Sequence, residues 1–145
     1  MRKLARVTAI LVGITMVVAG VVTWVVVSTT LSDQRITVSD DASCLAGDKV
    51  NGPFSAYCQA IVIDKHTKAI TGGKTYAELD QEDPNRETAM DSAFLQASLF
   101  TSVVAFGVAL MAIVVGIVLT LIGFALRRPP AYPTPPTRTI QEDHP

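Results

Sequence analysis

The sequence predicts an all-α integral membrane protein: a two-helix transmembrane hairpin carrying a small helical cap on its extracytoplasmic side. Three observations lead there. The 49% apolar content is gathered into two long blocks without charge, basic residues lie just beyond the outermost ends of both, and the acidic segment between them holds the only two cysteines.

Residues 7–30 read VTAILVGITMVVAGVVTWVVVSTT and residues 97–126 read ASLFTSVVAFGVALMAIVVGIVLTLIGFAL, with no Asp, Glu, Lys, Arg or His in either. At about 1.5 Å of rise per residue, each exceeds the ~20 residues needed to cross a ~30 Å hydrocarbon core. Arg2, Lys3 and Arg6 also suit the start of a signal peptide. A signal h-region, however, is only about 7–15 residues long and ends at a small-x-small cleavage site, which favours an uncleaved anchor here.

The net charge of −1 becomes informative when divided by segment. Residues 1–6 carry Arg2, Lys3 and Arg6 with no acid, and Arg127 and Arg128 follow the second block. Residues 31–96 hold six Lys and Arg against eleven Asp and Glu, a balance of −5. Basic residues flanking spans stay in the cytoplasm, so both termini are expected there and residues 31–96 outside. Trp24, near the outer end of the first span, fits an interfacial aromatic belt.

The outside segment is too short for a large core and reads as a cap on the helix ends. Asn51-Gly52-Pro53 is a turn, and Phe54, Tyr57, Cys58, Ile61 and Val62 follow at helical spacing, with proline suited to the first turn. A helix is expected over residues 53–69, with a short strand at 60–63 as the alternative, and Gly72-Gly73 ends it. Thr75-Tyr76-Ala77-Glu78 has the form of a capping box opening a short helix. Asp83-Pro84 offers an N-cap and a first helical residue. No Gly or Pro interrupts the chain from there to Phe106, so this helix is expected to run straight into the second span as a stalk against which the cap packs.

Small residues recur at helical spacing: Ala5, Ala9, Gly13 and Gly20 in the first span, and Ala105, Ala109, Ala112, Gly116, Thr120 and Gly123 in the second. Such faces let backbones approach closely in lipid, within the hairpin or between two copies of the chain. Residues 127–145 are proline-rich and read as a disordered cytoplasmic tail, in which Pro129-Pro130-Ala131-Tyr132 matches the PPxY pattern bound by aromatic-lined modules.

Several chemistries are looked for and not met. Gly72-Gly73-Lys74-Thr75 resembles the end of a phosphate-binding loop, but Lys68 occupies the place of its first glycine, so a turn and a helix cap fit better. Glu78, Asp80, Glu82 and Asp83 lack the turn glycine and alternating spacing of a calcium loop. His66 falls on the polar side of the expected helix as a surface histidine. Spans free of ionisable residues lack the marks of a proton relay or ion pathway. Basic residues this few, divided by a bilayer, do not suit nucleic acid, and no cofactor is expected.

Taken together, VVTWVVVSTTLSDQRITVSDDASCLAGDKVNGPFSAYCQA, TGGKTYAELDQEDPNRETAM and AFLQASLFTSVVAFGVAL resemble a family of small two-span actinobacterial membrane proteins of unknown function, over about residues 19–110. Its members often carry the name aromatic ring-opening dioxygenase, of the extradiol type. The resemblance so named implies a non-haem iron held by two histidines and a carboxylate. This chain has only His66 and His144, which the expected topology puts on opposite sides of the bilayer. The ligand count therefore speaks against that activity.

The function expected is non-catalytic: an envelope interaction or accessory subunit whose partners are the lipid bilayer and either an envelope protein or a second copy of itself. A metal- or thiol-dependent ectodomain enzyme and an oligomeric channel-like subunit are the alternatives. Zinc and thiol-redox sites favour short spacings such as CxxC, whereas thirteen residues separate Cys44 from Cys58. An even cysteine count on the oxidising side of a membrane reads first as a disulfide, here the staple of a cap too small to hold itself together.

Overall fold

The structure, a computed structural model, describes residues 1–126. Three α-helices make it up, α1 (Arg2–Asp33), α2 (Pro53–Ile70) and α3 (Arg86–Ala125), with a single 3-10 turn at Tyr76–Glu78. Among the described residues there is no strand, only an isolated antiparallel bridge between Thr37 and Lys49. Both α1 and α3 are long and apolar enough to cross a membrane. The tail, with Arg127, Arg128, the PPxY match and His144, lies outside the described residues.

α1 and α3 pack antiparallel along a seam of small residues. A Cβ placed on Gly13 would strike the carbonyl of Gly116 at 2.6 Å and Thr120; one on Gly116 would strike Gly13 O at 2.6 Å and Val17. Gly20 is as tight against Ala109 O and Ile113, and Gly123 against Ile10 and Arg6. At the cap end the seam widens to accept Trp24, whose ring meets Phe106 edge-on at 4.8 Å. On α1 the contacts fall at 6, 10, 13, 17, 20, 24, 27 and 31, alternating steps of four and three, the spacing of a left-handed two-helix packing. This explains why Ala9, Ala105 and Ala112 flank the seam half-buried and why Ala5 is exposed. They share an i,i+4 register with seam residues but stand off the 3.5-residue repeat.

The cap folds over the other end. After α1 the chain runs out through Ile36 and Val38 and returns through Asp48 and Val50, held by Val38 N–H to Asp48 O at 2.8 Å and Val50 N–H to Ile36 O at 2.9 Å. Val38 and Val50 are both buried, and they bring Leu31, Ala56, Cys58 and Ala60 into one core with Leu99 and Phe106. α2 lies on α3 through its small face, Ala56 and Ala60, which lets the helices approach closely. Phe54, Tyr57 and Ile61 stay exposed on the flank, Tyr57 edge-on to Phe100 at 6.1 Å.

Two local expectations are corrected. The chain reverses at residues 45–48, where Leu45 and Gly47 have positive φ of 50° and 76°. Asn51-Gly52 instead starts α2, both amides donating to Ser55 Oγ at 3.2 Å. Residues 60–63 are helical, as expected, and the alternative strand is not formed, because the turn of α2 that contains them buries Ala60 and Val62. α3 begins at Arg86 and not at Pro84: the Asp83 carboxylate accepts from Asn85 N–H at 2.8 Å, closing a turn before the helix. Trp24 packs into the seam, where Phe106 offers it an apolar partner. From Arg86 to Ala125 the helix is continuous, about 60 Å long.

Candidate functional site

Three features of the cap end hold the chemistry of this chain. The first is the link between Cys44 and Cys58, whose sulfurs lie at bonding distance, 1.98 Å, across a sequence separation of 14. Cys58 is buried on the inner side of α2, and Cys44 comes from the returning loop, so the bond ties the loop to the helix that supports it. Neither cysteine is left as a thiol.

The second is an exposed latch between that loop and α2. Asp41 Oδ2 lies 2.7 Å from His66 Nε2, which donates when it carries its proton, and 3.3 Å from Lys65 Nζ. The hydrogen bond from His66 is the main cause that holds the Asp41 carboxyl below its ordinary value, with Lys65 assisting and desolvation opposing. Lys68 pairs along the helix with Asp64 at 2.7 Å. Beyond α2, Gly72 and Gly73 at φ 65° and 89° turn the chain, Gly73 N–H capping Lys68 O at 2.7 Å. Glu78 then accepts from the Thr75 amide at 2.8 Å, which holds its carboxyl below the ordinary value, and from the Thr75 hydroxyl at 2.8 Å. The run Glu78, Asp80, Glu82 and Asp83 is thus spread along turns that use Glu78 and Asp83 as caps. Arg86 closes this segment, stacking 4.4 Å over Tyr76 and donating to Leu79 O.

The third is a groove of about 730 Å³ beneath the cap. Its walls are the last turns of α1 from Val26 to Leu31 with Gln34 just beyond the helix end, and the stalk-side turns of α3, from Leu95 to Ala105; Gln59 and Ile63 of α2 roof it. The hydroxyls of Thr101 and Ser102 donate to the carbonyls of Ala97 and Ser98 at 2.7 and 3.0 Å, so they add little free polarity. Gln59 is 8% exposed, and its Oε1 accepts from Ser39 N–H at 3.0 Å.

Of the residues singled out in the sequence, Cys44 and Cys58 come together, and Gly13, Gly20, Ala109, Gly116, Thr120 and Gly123 line one seam. Arg2, Lys3 and Arg6 stand on the first turns of α1, at the end of the hairpin where Gly123 packs against Arg6. Asp41, Gln59 and Phe106 were not foreseen. Phe106 stands at a 3.5-residue position between Leu99 and Gly116, so the heptad spacing carried its signal; Asp41 and Gln59 meet their partners across 25 and 20 residues, which no local pattern records. No family model, curated protein or solved structure matches this chain.

Proposed function

We propose that this protein is a non-catalytic, membrane-anchored interaction or accessory subunit that presents the cap, roughly residues 33–95, to a partner in the cell envelope. The observation that carries this reading is the rigid mount. The cap is tied to itself by a disulfide, roots its core between the two long helices at Leu31, Leu99 and Phe106, and rests on a stalk continuous with α3. A fixed acidic surface of this kind suits recognition more than turnover.

In this reading both termini are cytoplasmic and residues 31–96 are extracytoplasmic. It is supported by Arg2, Lys3 and Arg6 at one end of the hairpin and the −5 balance of the segment at the other. A thiol enzyme is disfavoured because the two cysteines are spent on each other. Ring-opening chemistry is disfavoured because the histidines number two and His66 is engaged with Asp41 on the cap surface. Of the small residues that would serve a homodimer, Gly13, Gly20, Gly116 and Gly123 are used inside the hairpin.

In-cell crosslinking with mass spectrometry, followed by affinity capture in mild detergent, tests the proposal. A recurrent envelope protein crosslinked through residues 33–95 is the expected result. Repeated recovery of the chain alone and monomeric removes its basis.

A further inference from the structure

The apolar flank at the start of α2 plays no part in presenting an acidic surface. We infer that it is a membrane-contact face, with Phe54, Tyr57 and Phe100 seated among the lipid headgroups and upper acyl chains of the leaflet beside the cap. The inference rests on the membrane-anchored reading, in which α1 and α3 cross the bilayer.

Height along the hairpin is the first reason. α2 points away from the spans. Its start is tied to α1, where Ser28 Oγ donates to Asn51 O at 2.7 Å, and its last turn to the beginning of α3, where the Thr67 and Ser92 hydroxyls share a hydrogen bond. Ser28 stands 22 residues beyond Arg6, about 33 Å along α1. Phe100 stands 23 residues before Gly123, which packs on Arg6, and so about 35 Å along α3. A hydrocarbon core is ~30 Å thick and a whole bilayer ~40–45 Å. With Arg6 at one edge of the core, both markers fall in the interfacial layer at the other edge, where aromatic rings are enriched.

The placing of charge is the second. No Asp, Glu, Lys, Arg or His lies between Arg6 and Asp33, between Lys49 and Asp64, or between Asp91 and Arg127. Asp64 and Asp91 stand within a turn of Thr67 and Ser92, so α2 and α3 become charged at one height, roughly 10 Å beyond Phe100. A bilayer imposes such a common plane on separate helices, whereas a patch shaped for a protein does not need one. The nearest charges to Phe54 are Asp48 and Lys49, which share a depression with it at the height of the headgroups.

Continuity is the third. Phe54 and Tyr57, 78% and 47% exposed, share a face of α2 with Ile61, and Tyr57 meets Phe100 edge-on at 6.1 Å. Phe100 heads an exposed stripe of α3 that continues through Val104, Met111 and Val118, the lipid-facing side of that span in the membrane-anchored reading. The aromatic flank is the upper end of a surface that lipid covers.

The test uses the full chain in phosphatidylglycerol discs, with para-fluorophenylalanine at its five phenylalanines. Phe54→Leu, Phe94→Leu, Phe100→Leu and Phe124→Leu assign the fluorine signals. A lipid carrying a nitroxide near the top of its acyl chain erases the signals within its reach, and a water-soluble gadolinium chelate erases those open to solvent. Phe54 and Phe100 are expected to be lost to the nitroxide and to keep more signal with the chelate than Phe94, which is 66% exposed and lies three residues from Asp91. Loss of Phe54 to the chelate as complete as that of Phe94 overturns the contact face; with Phe124 still lost to the nitroxide, the membrane-anchored reading stands. Phe54 spared by both agents also overturns it, since a protein partner or a second copy then covers the flank. Phe124 spared by the nitroxide overturns both.

Discussion

At the scale of single residues, the glycines of the seam are the most demanding positions in the molecule. Gly13 and Gly116 each have backbone atoms of the other helix within 2.6 Å of where a Cβ would stand, and backbone cannot swing aside as a side chain can. Gly116→Ala is expected to lower hairpin stability by about 1–3 kcal/mol, the usual range for overpacking, and Gly116→Leu by more. Gly107, which has nothing within 4 Å, is the control: Gly107→Ala should leave stability unchanged or slightly raised. Thermal unfolding in one detergent compares the three. Ser55 invites a second substitution. Its hydroxyl serves both Asn51 and Gly52 amides at the start of α2, so Ser55→Ala should cost about 1 kcal/mol and fray the first turn, read by amide exchange at residues 51–56.

The same scale sets the acid response of the cap. Asp41 and Glu78 both have carboxyls held below their ordinary values, so what their hydrogen bonds contribute is fully present above the unfolded value and is lost as pH falls through the folded one. The stability gap between the wild type and Asp41→Asn should therefore be present at about pH 5 and close as pH falls below about 4, through the lowered folded value of Asp41. Unfolding midpoints of the two proteins across that range check it. A gap that closes above about pH 5 would place the response on another group.

Among the elements, the loop of residues 34–52 depends most on its covalent tie. Besides the exposed Asp41 latch and the Ser39–Gln59 hydrogen bond it has one isolated bridge and two buried valines to hold it, and closing the ring from Cys44 to Cys58, a separation of 14, is worth on the order of 3 kcal/mol in the chain-entropy picture. Replacing Cys44 and Cys58 together by alanine should expose that loop to protease while leaving the long helices protected. If limited proteolysis cuts the variant and the wild type alike, the tie contributes little. The elements also show what local sequence carries. α2 was legible because proline, apolar spacing and the double glycine all act within a turn of the residues they govern, and its start fell at Pro53 as expected. The reversal at 45–48 was not, since Leu45 is a poor signal for positive φ and the turn, closed by Asp48 N–H to Leu45 O, is anchored from across the loop by Gly47 N–H to Val38 O. α3 was expected two residues early because an aspartate before a proline serves a helix cap and a turn equally well, and the turn prevailed.

For the whole molecule, the pair of long apolar helices followed directly from composition, because uncharged stretches of that length have few other stable uses. Which face of each helix meets the other depended on the partner, and the 3.5-residue repeat decided it in favour of Gly13, Gly20, Gly116 and Gly123 over Ala5 and Ala9. The groove was not legible at all, since it is assembled from the ends of three helices distant in sequence. The unbroken run of α3 has a mechanical corollary. Leu99 and Phe106 fasten it to the cap core and Gly123 locks it to α1 at the opposite end, so it behaves as a stiff rod pivoted against its neighbour. A pull on the cap is thereby carried along about 60 Å of α3 to the turn where Gly123 packs against Arg6, without any hinge between them.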